Sequence, residues 1–163
     1  MAIITLNNNS LSGVTSLPAG VGGKILQTVI NPNNGLSQFG TSSTSLVDVG
    51  TDLDISLTPT SSSTKIIIWT NFSYDAGGNG NTISASLSSI ISASQTQLNT
   101  NYPDYGDGTQ GAIRIIGWIP HYYIHLHSTT NTITYRMQIK SGNGSAVYFN
   151  KRAYKIIAQE IAV

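Results

Sequence analysis

The stretch that decides the fold is residues 131–149, NTITYRMQIKSGNGSAVYF, whose first half alternates between apolar and polar side chains. The apolar positions are Ile133, Tyr135, Met137 and Ile139, and the polar positions are Thr134, Arg136, Gln138 and Lys140. A period of two is typical of a β-strand with one face in a core and the other in solvent. The glycine-rich SGNGS after it predicts a hairpin turn into a short strand, AVYF.

The same alternation recurs along the chain between turn-forming segments. TDLDISLT and NTISASLSSIIS each place three apolar side chains on one face: Leu53, Ile55 and Leu57, and Ile83, Ala85 and Leu87. TKIIIWTNFSYD is apolar on both faces near Ile67, which is typical of a central strand. SASQTQLNTNY is the best helical candidate and predicts a short turn. Together these patterns predict an all-β antiparallel sandwich or jelly roll over residues 24–163, closed by YKIIAQEIA.

Residues 1–23 show neither the period of two of a strand nor the period of 3.6 of a helix. They contain no basic residue and only a short apolar run. A secretory signal needs a basic start and a longer apolar core, so we expect this segment to remain on the protein. Residues 1–23 are then either an extended N-terminal arm or a floppy tail, and the resemblance described below implies the arm.

Composition excludes several functions. Charged residues are only 9% of the chain, the net charge is +1 and the lysines and arginines are scattered, which argues against nucleic-acid binding. The chain has no cysteine, so disulfides and thiolate chemistry are excluded. No stretch is long and apolar enough for a membrane helix. Because sheet edges recruit other chains and charge is scarce, we expect a homo-oligomer.

All three histidines lie in HYYIHLH, residues 121–127. In a strand, His121, Tyr123, His125 and His127 share one face, and Pro120 is expected to interrupt the strand just before them. His125 and His127 have the spacing to bind one transition-metal ion. The alternative is a polar face of aromatic rings that packs on a neighbour or faces water.

The loop YPDYGDGTQG carries Asp104 and Asp107, which suit either calcium or ordinary turn chemistry. No nucleophile motif and no obvious carboxylate pair is present, so we expect no enzyme activity and no cofactor. A polysaccharide-cleaving enzyme is a third hypothesis, which would require the fold to bring two carboxylates together.

Several stretches carry a resemblance to a known group of proteins. ITLNNNSLSGVTSLPAGVGGKILQ, STSLVDVGTDLDISLTPTSSSTKIII, TTNTITYRMQIKSGNGSAVYFN and IIAQEIA resemble segments of bacteriophage virion proteins described as tail-fibre, head-decoration or structural proteins. The likeness covers about two thirds of the chain and does not extend to the middle, residues 75–120.

The resemblance implies a jelly-roll or tumour-necrosis-factor-like trimer on the virion surface, made in the host cytoplasm without a signal peptide. The first hypothesis is a capsid decoration (cement) protein that contacts itself and the major capsid protein or other virion proteins. The alternative is a tail-fibre or receptor-binding tip for host surface glycans, in which Tyr102, Tyr105 and Trp118 would contact sugar or a neighbour. The arm would bind its partner through small apolar anchors: Ile3, Ile4, Leu6, Leu11, Val14 and Leu17.

Overall fold

The structure is a computed structural model that describes residues 24–31, 38–76, 81–99 and 115–163, with side chains except those of 115–119, 121 and 150–154. The described chain forms antiparallel β-strands and one short 3₁₀ turn, Thr51–Leu53. The strands are β1 Ile25–Ile30, β2 Phe39–Thr41, β3 Val47–Asp48, β4 Ile55–Leu57, β5 Lys65–Ala76, β6 Ile83–Ile91, β7 Ser94–Gln97, β8 Ile115–Leu126, β9 Ile133–Ser141 and β10 Val147–Ile161.

The strands form two sheets that pack face to face, which confirms the predicted antiparallel sandwich. Sheet A has the order β1-β10-β5-β8, and β2 pairs with the other end of β10. Sheet B has the order β3-β9-β6-β7, and β4 also pairs with β9. β5 lies between β10 and β8, as its apolar sequence predicted.

The core fills the space between the two sheets. β9 contributes the four apolar residues predicted from its alternation, and each is at most 1% exposed. Leu53, Ile55 and Leu57 are also buried as predicted. From sheet A, Phe72 and Phe149 stack with ring centroids 4.7 Å apart. Burial of a side chain of this kind contributes about 1.5–3 kcal/mol, so the inner faces supply the main stabilisation of the fold.

The hairpin predicted within residues 131–149 is wrong. β9 belongs to sheet B and β10 to sheet A, so the SGNGS segment carries the chain from one sheet to the other. The Ser141 hydroxyl accepts from Gly144 N–H at 3.0 Å and donates to Ser145 O at 2.8 Å, which fixes the turn. The short terminal strands are also one strand, β10, with a register shift between Phe149 and Tyr154.

Pro120 does not interrupt its strand. β8 runs through it, and Pro120 pairs with Asn71 of β5. Within the described residues β8 pairs with β5 alone, so it is an edge strand, where a missing N–H is tolerated.

The predicted helical turn in SASQTQLNTNY is a β-hairpin as far as the structure describes it, to Asn99. β7 pairs with the end of β6, and Ser92 and Ala93 form the two-residue loop. Both have positive φ, 49° and 65°, as a tight primed turn requires. Propensity missed this turn because neither residue is the glycine or asparagine that such turns prefer.

Candidate functional site

The outer face of sheet A carries large apolar side chains on all four strands of the order β1-β10-β5-β8, and the polar residues Lys65, Lys155 and Gln159 lie beside them. One cross-strand row joins Ile30, Ile157, Trp69 and Tyr122, and the next row joins Ile67 to Ile124. Tyr122 is 61% exposed and Trp69 is 46% exposed. We define the outer apolar face as Ile30, Ile67, Trp69, Tyr122, Ile124, Leu126 and Ile157. A contiguous apolar patch of this kind is typical of a surface that binds a partner.

A cleft of about 400 Å³ opens in this face beside Trp69 and Tyr122. The two rings are 5.6 Å apart and tilted by 37°. Pro120 and Ile157 complete the apolar wall, and Asn71 and Lys155 also line the cleft. Such a cleft can accept an apolar side chain or the flat face of a sugar ring.

The histidine-bearing face of β8 points inward, contrary to the expectation that it packs on a neighbour or faces water. Tyr123 and His125 are half-buried, and His127 is buried. His125 Nδ1 lies 2.9 Å from the hydroxyl of Tyr135 in sheet B. Burial, and secondly the charge of His127, lower the pKa of His125 to about 4, so the ring is neutral at pH 7. His121 has no described side chain.

His127 is part of a buried polar network at one end of the sandwich. Its Nδ1 lies 2.9 Å from the carbonyl of Thr129, which can only accept, so Nδ1 donates. Its Nε2 lies 3.1 Å from Thr64 Oγ1, and Thr64 donates to Glu160 Oε1 at 2.7 Å. The network ties β8 and β10 to the loop before β5.

Glu160 is fully buried and is held by four donated hydrogen bonds. They come from Thr64 Oγ1, Thr60 N, Thr60 Oγ1 and Gln27 Nε2, at 2.6–2.9 Å. Burial alone would raise the pKa of Glu160, but these hydrogen bonds lower it to about 2. The carboxylate is therefore charged at pH 7, and it closes the end of the sandwich.

The predicted metal ligands His125 and His127 lie close together, with ring centroids 6.0 Å apart. Both ring nitrogens of His127 already have protein partners, which a metal ion would have to replace. Across the described ranges, no group of three or more histidine, aspartate or glutamate side chains could hold a metal ion.

The outer face of sheet B is polar, and three of its charged groups, Arg136, Asp48 and Asp54, pair with one another. Arg136 donates to Asp54 through Nε at 2.9 Å and Nη2 at 2.6 Å, and to Asp48 through Nη1 at 3.0 Å. Gln95 and Gln138 both donate to Asp48 Oδ1. Burial opposes the effect, but these hydrogen bonds lower the pKa of Asp48. The cluster satisfies itself and presents no open catalytic group.

The other predicted site residues are not brought together by the described structure. The arm anchors Ile3, Ile4, Leu6, Leu11, Val14 and Leu17, and the loop residues Asp104, Asp107, Tyr102 and Tyr105, lie outside the described residues. Trp118 lies in β8, and its side chain is not described.

The sequence interpretation missed Tyr122, Ile124 and Leu126 as surface residues. The signal was present, because they alternate with the histidines. The polarity of the histidines predicts that they lie outside, whereas their hydrogen bonds to sheet B and the loops allow them to lie inside.

The chain is therefore a β-sandwich with two different outer faces. On sheet B polar side chains bond to one another, and on sheet A large apolar side chains are exposed. No known protein-family model matches the chain, and no curated protein is significantly similar to it in sequence. No helix in the described parts is long and apolar enough to cross a membrane.

Similarities are found among solved structures. The chain is similar to VP2 of infectious bursal disease virus in a subviral particle, with a TM-score of 0.45 and 10% identity over 99% of this chain and 43% of that chain. It is also similar to a chain of the T13 particle of the same virus, with a TM-score of 0.43 and 10% identity over 85% of this chain and 37% of that chain. The chain thus spans about two fifths of these proteins. Because the TM-scores lie below 0.5, these similarities assign neither a family nor a function.

Proposed function

We propose that this chain is a non-enzymatic phage virion structural protein, a homotrimeric decoration protein that stabilises the particle by surface contacts. The observation that carries the proposal is the outer apolar face, seven large apolar side chains in a chain with 9% charged residues. The sequence resemblance to phage virion proteins supports the virion setting. A protein that binds only the assembled shell stabilises it by about RT ln(1 + [L]/Kd).

The size of the face fits a contact between subunits. Each residue of the face occupies about 4.8 Å across the strands and about 7 Å along them, so the seven residues give an apolar area of about 240 Å². A standard interface buries about 800 Å² on each partner, so this face supplies about a third of that area. In a ring of identical copies each outer apolar face would be covered by a neighbour. A closed ring also stops the assembly from growing into a filament.

A second candidate function, a receptor-binding tip for host glycans, is favoured by one observation. The tilted pair Trp69 and Tyr122 borders a cleft that Asn71 and Lys155 also line. Aromatic faces stack on the apolar side of sugar rings, and amide and ammonium groups bind hydroxyls. Tyr102, Tyr105 and Trp118 would belong to the same recognition surface in this proposal.

The experiment that tests both functions is the copy number and position of the chain in purified particles that contain it. Quantitative mass spectrometry with immunogold labelling should find hundreds of copies on the head. A few to a few dozen copies at the tail would support the receptor-binding tip instead. Absence from the particle would contradict both.

The enzyme hypothesis is tested separately with purified protein and host polysaccharide. We expect no turnover. Turnover that Asp104→Asn or Asp107→Asn abolishes would overturn the non-enzymatic proposal.

A further inference from the structure

We propose that apolar side chains of the segment 3–17 of a neighbouring copy cover the outer apolar face and fill the cleft beside Trp69 and Tyr122. This inference rests on the self-association proposed above and names the part of the second copy that covers the face. It also accounts for the interface area that the face alone does not supply.

The first argument is chemical complementarity. Residues 1–23 contain no charged side chain, so they would bring no charge onto an apolar surface. Ile3, Ile4 and Leu6 form an apolar start, and Leu11, Val14 and Leu17 continue it at short intervals. The polar residues between them are amides and hydroxyls, which can pair with backbone.

The second argument is reach. The described chain starts at Lys24, next to β1, at one edge of the apolar face. β8 at the opposite edge lies about 14 Å away across three strand spacings. Residues 1–23 span about 75 Å when extended, and residues 3–17 alone span about 50 Å. About six extended residues cross a face about 20 Å wide, so the segment is long enough to leave its own chain and reach the face of a second copy.

The third argument is the edge of sheet A. The most exposed apolar side chains, Leu126 at 71% and Tyr122 at 61%, lie on β8. Within the described residues β8 pairs only with β5, and strand addition at such an edge is a common way to bind an extended segment.

Disulfide trapping tests this inference cleanly, because the chain has no cysteine of its own. The full-length double variants Leu6→Cys with Ile124→Cys, and Leu11→Cys with Ile124→Cys, are oxidised mildly and run on a non-reducing gel. The matched control is Leu6→Cys with Thr134→Cys, which places the second thiol on the outer face of sheet B.

We expect at least one of the two pairs to form covalent dimers and trimers about tenfold more than the control, and reductant should reverse them. Deleting residues 2–20 should weaken the trimer at least about tenfold. An intrachain disulfide in both pairs would overturn the inference, because the segment would then cover its own face. So would cross-linking no higher than the control in both pairs.

The failure of this inference and of the proposed function are distinguishable. If the full-length chain is a trimer, the deletion leaves it unchanged and neither pair cross-links, the segment is not the occupant and self-association stands. If the full-length chain is a monomer, self-association itself fails.

Discussion

The two outer faces of the sandwich differ in how their side chains are satisfied. On sheet B, Arg136 pairs with Asp48 and Asp54, and Ser56 and Thr134 share a hydrogen bond of 2.8 Å. On sheet A, Trp69 and Ile124 are large, apolar and about half exposed. The polar face completes its interactions within one chain, whereas the apolar face lowers its free energy only by burial against something else.

This contrast shows how a protein with few charges divides its surface. Three of its charged groups form one paired cluster on sheet B, whereas on sheet A seven apolar residues form one face and Lys65 and Lys155 lie at its margin. Solubility and folding can then depend on one face while association depends on the other. Changes to the two faces should therefore have separate effects.

The largest expected effect is on association. Trp69→Glu combined with Ile124→Glu places two carboxylates on the outer apolar face, which would have to be desolvated in an interface. We expect self-association to weaken at least about 100-fold, or about 3 kcal/mol, as measured by sedimentation velocity. Thr134→Glu is the matched control on sheet B, and it should leave association unchanged. If Thr134→Glu weakened self-association equally, the outer face of sheet A would not be the specific site of contact.

The next effect is on folding and should appear on the polar face. Arg136→Met removes the cation between two carboxylates and leaves Asp48 and Asp54 without a cation, although Asp48 keeps its hydrogen bonds from Gln95 and Gln138. We expect the free energy of unfolding to fall by about 2 kcal/mol in urea denaturation, with association of the folded protein unchanged. Lys140→Met, on the same face, should change it by less than about 0.5 kcal/mol. A similar fall in the free energy of unfolding in both variants would show that the pairing of Arg136 with the two aspartates contributes no particular stability.

Glu160 lies in the interior, on neither outer face, and it should make the free energy of unfolding depend on pH. Its folded-state pKa of about 2 lies below its ordinary value of 4.5, so its contribution to stability is complete above pH 4.5 and is lost as pH falls through 2. Glu160→Gln should cost about 2 kcal/mol at pH 7, because the amide cannot accept all four hydrogen bonds. Thermal melts from pH 7 to 2 should show the wild-type advantage shrinking. A difference in stability between wild type and Glu160→Gln that stays constant from pH 7 to 2 would contradict the lowered pKa of Glu160.

The smallest effect concerns the β6–β7 hairpin of sheet B. Ser92 and Ala93 adopt positive φ, which glycine and asparagine tolerate better. Ser92→Asn with Ala93→Gly should raise the free energy of unfolding by about 1 kcal/mol in urea denaturation. Ser94→Gly, in the adjacent strand, should lower it instead. Destabilisation by the turn substitutions would mean that the turn is not strained.

Periodicity predicted the sandwich and much of its core, because a strand with one buried face has apolar residues at every second position. The strand through Ile133 and Ile139 shows this most clearly. Turn chemistry did not reveal that SGNGS joins two sheets, since the same residues serve hairpins and crossovers. It also did not reveal which side of β8 is outside. That side depends on partners such as Tyr135 and Thr64, which are distant in sequence.

The outer apolar face of sheet A is the central claim, and sedimentation equilibrium of the full-length chain tests it most directly. Across micromolar concentrations, and at both low and high salt, we expect the mass of a trimer, because an apolar contact is not weakened by ionic screening. A single-chain mass throughout, with Trp69 and Ile124 still accessible to solvent, would contradict the account.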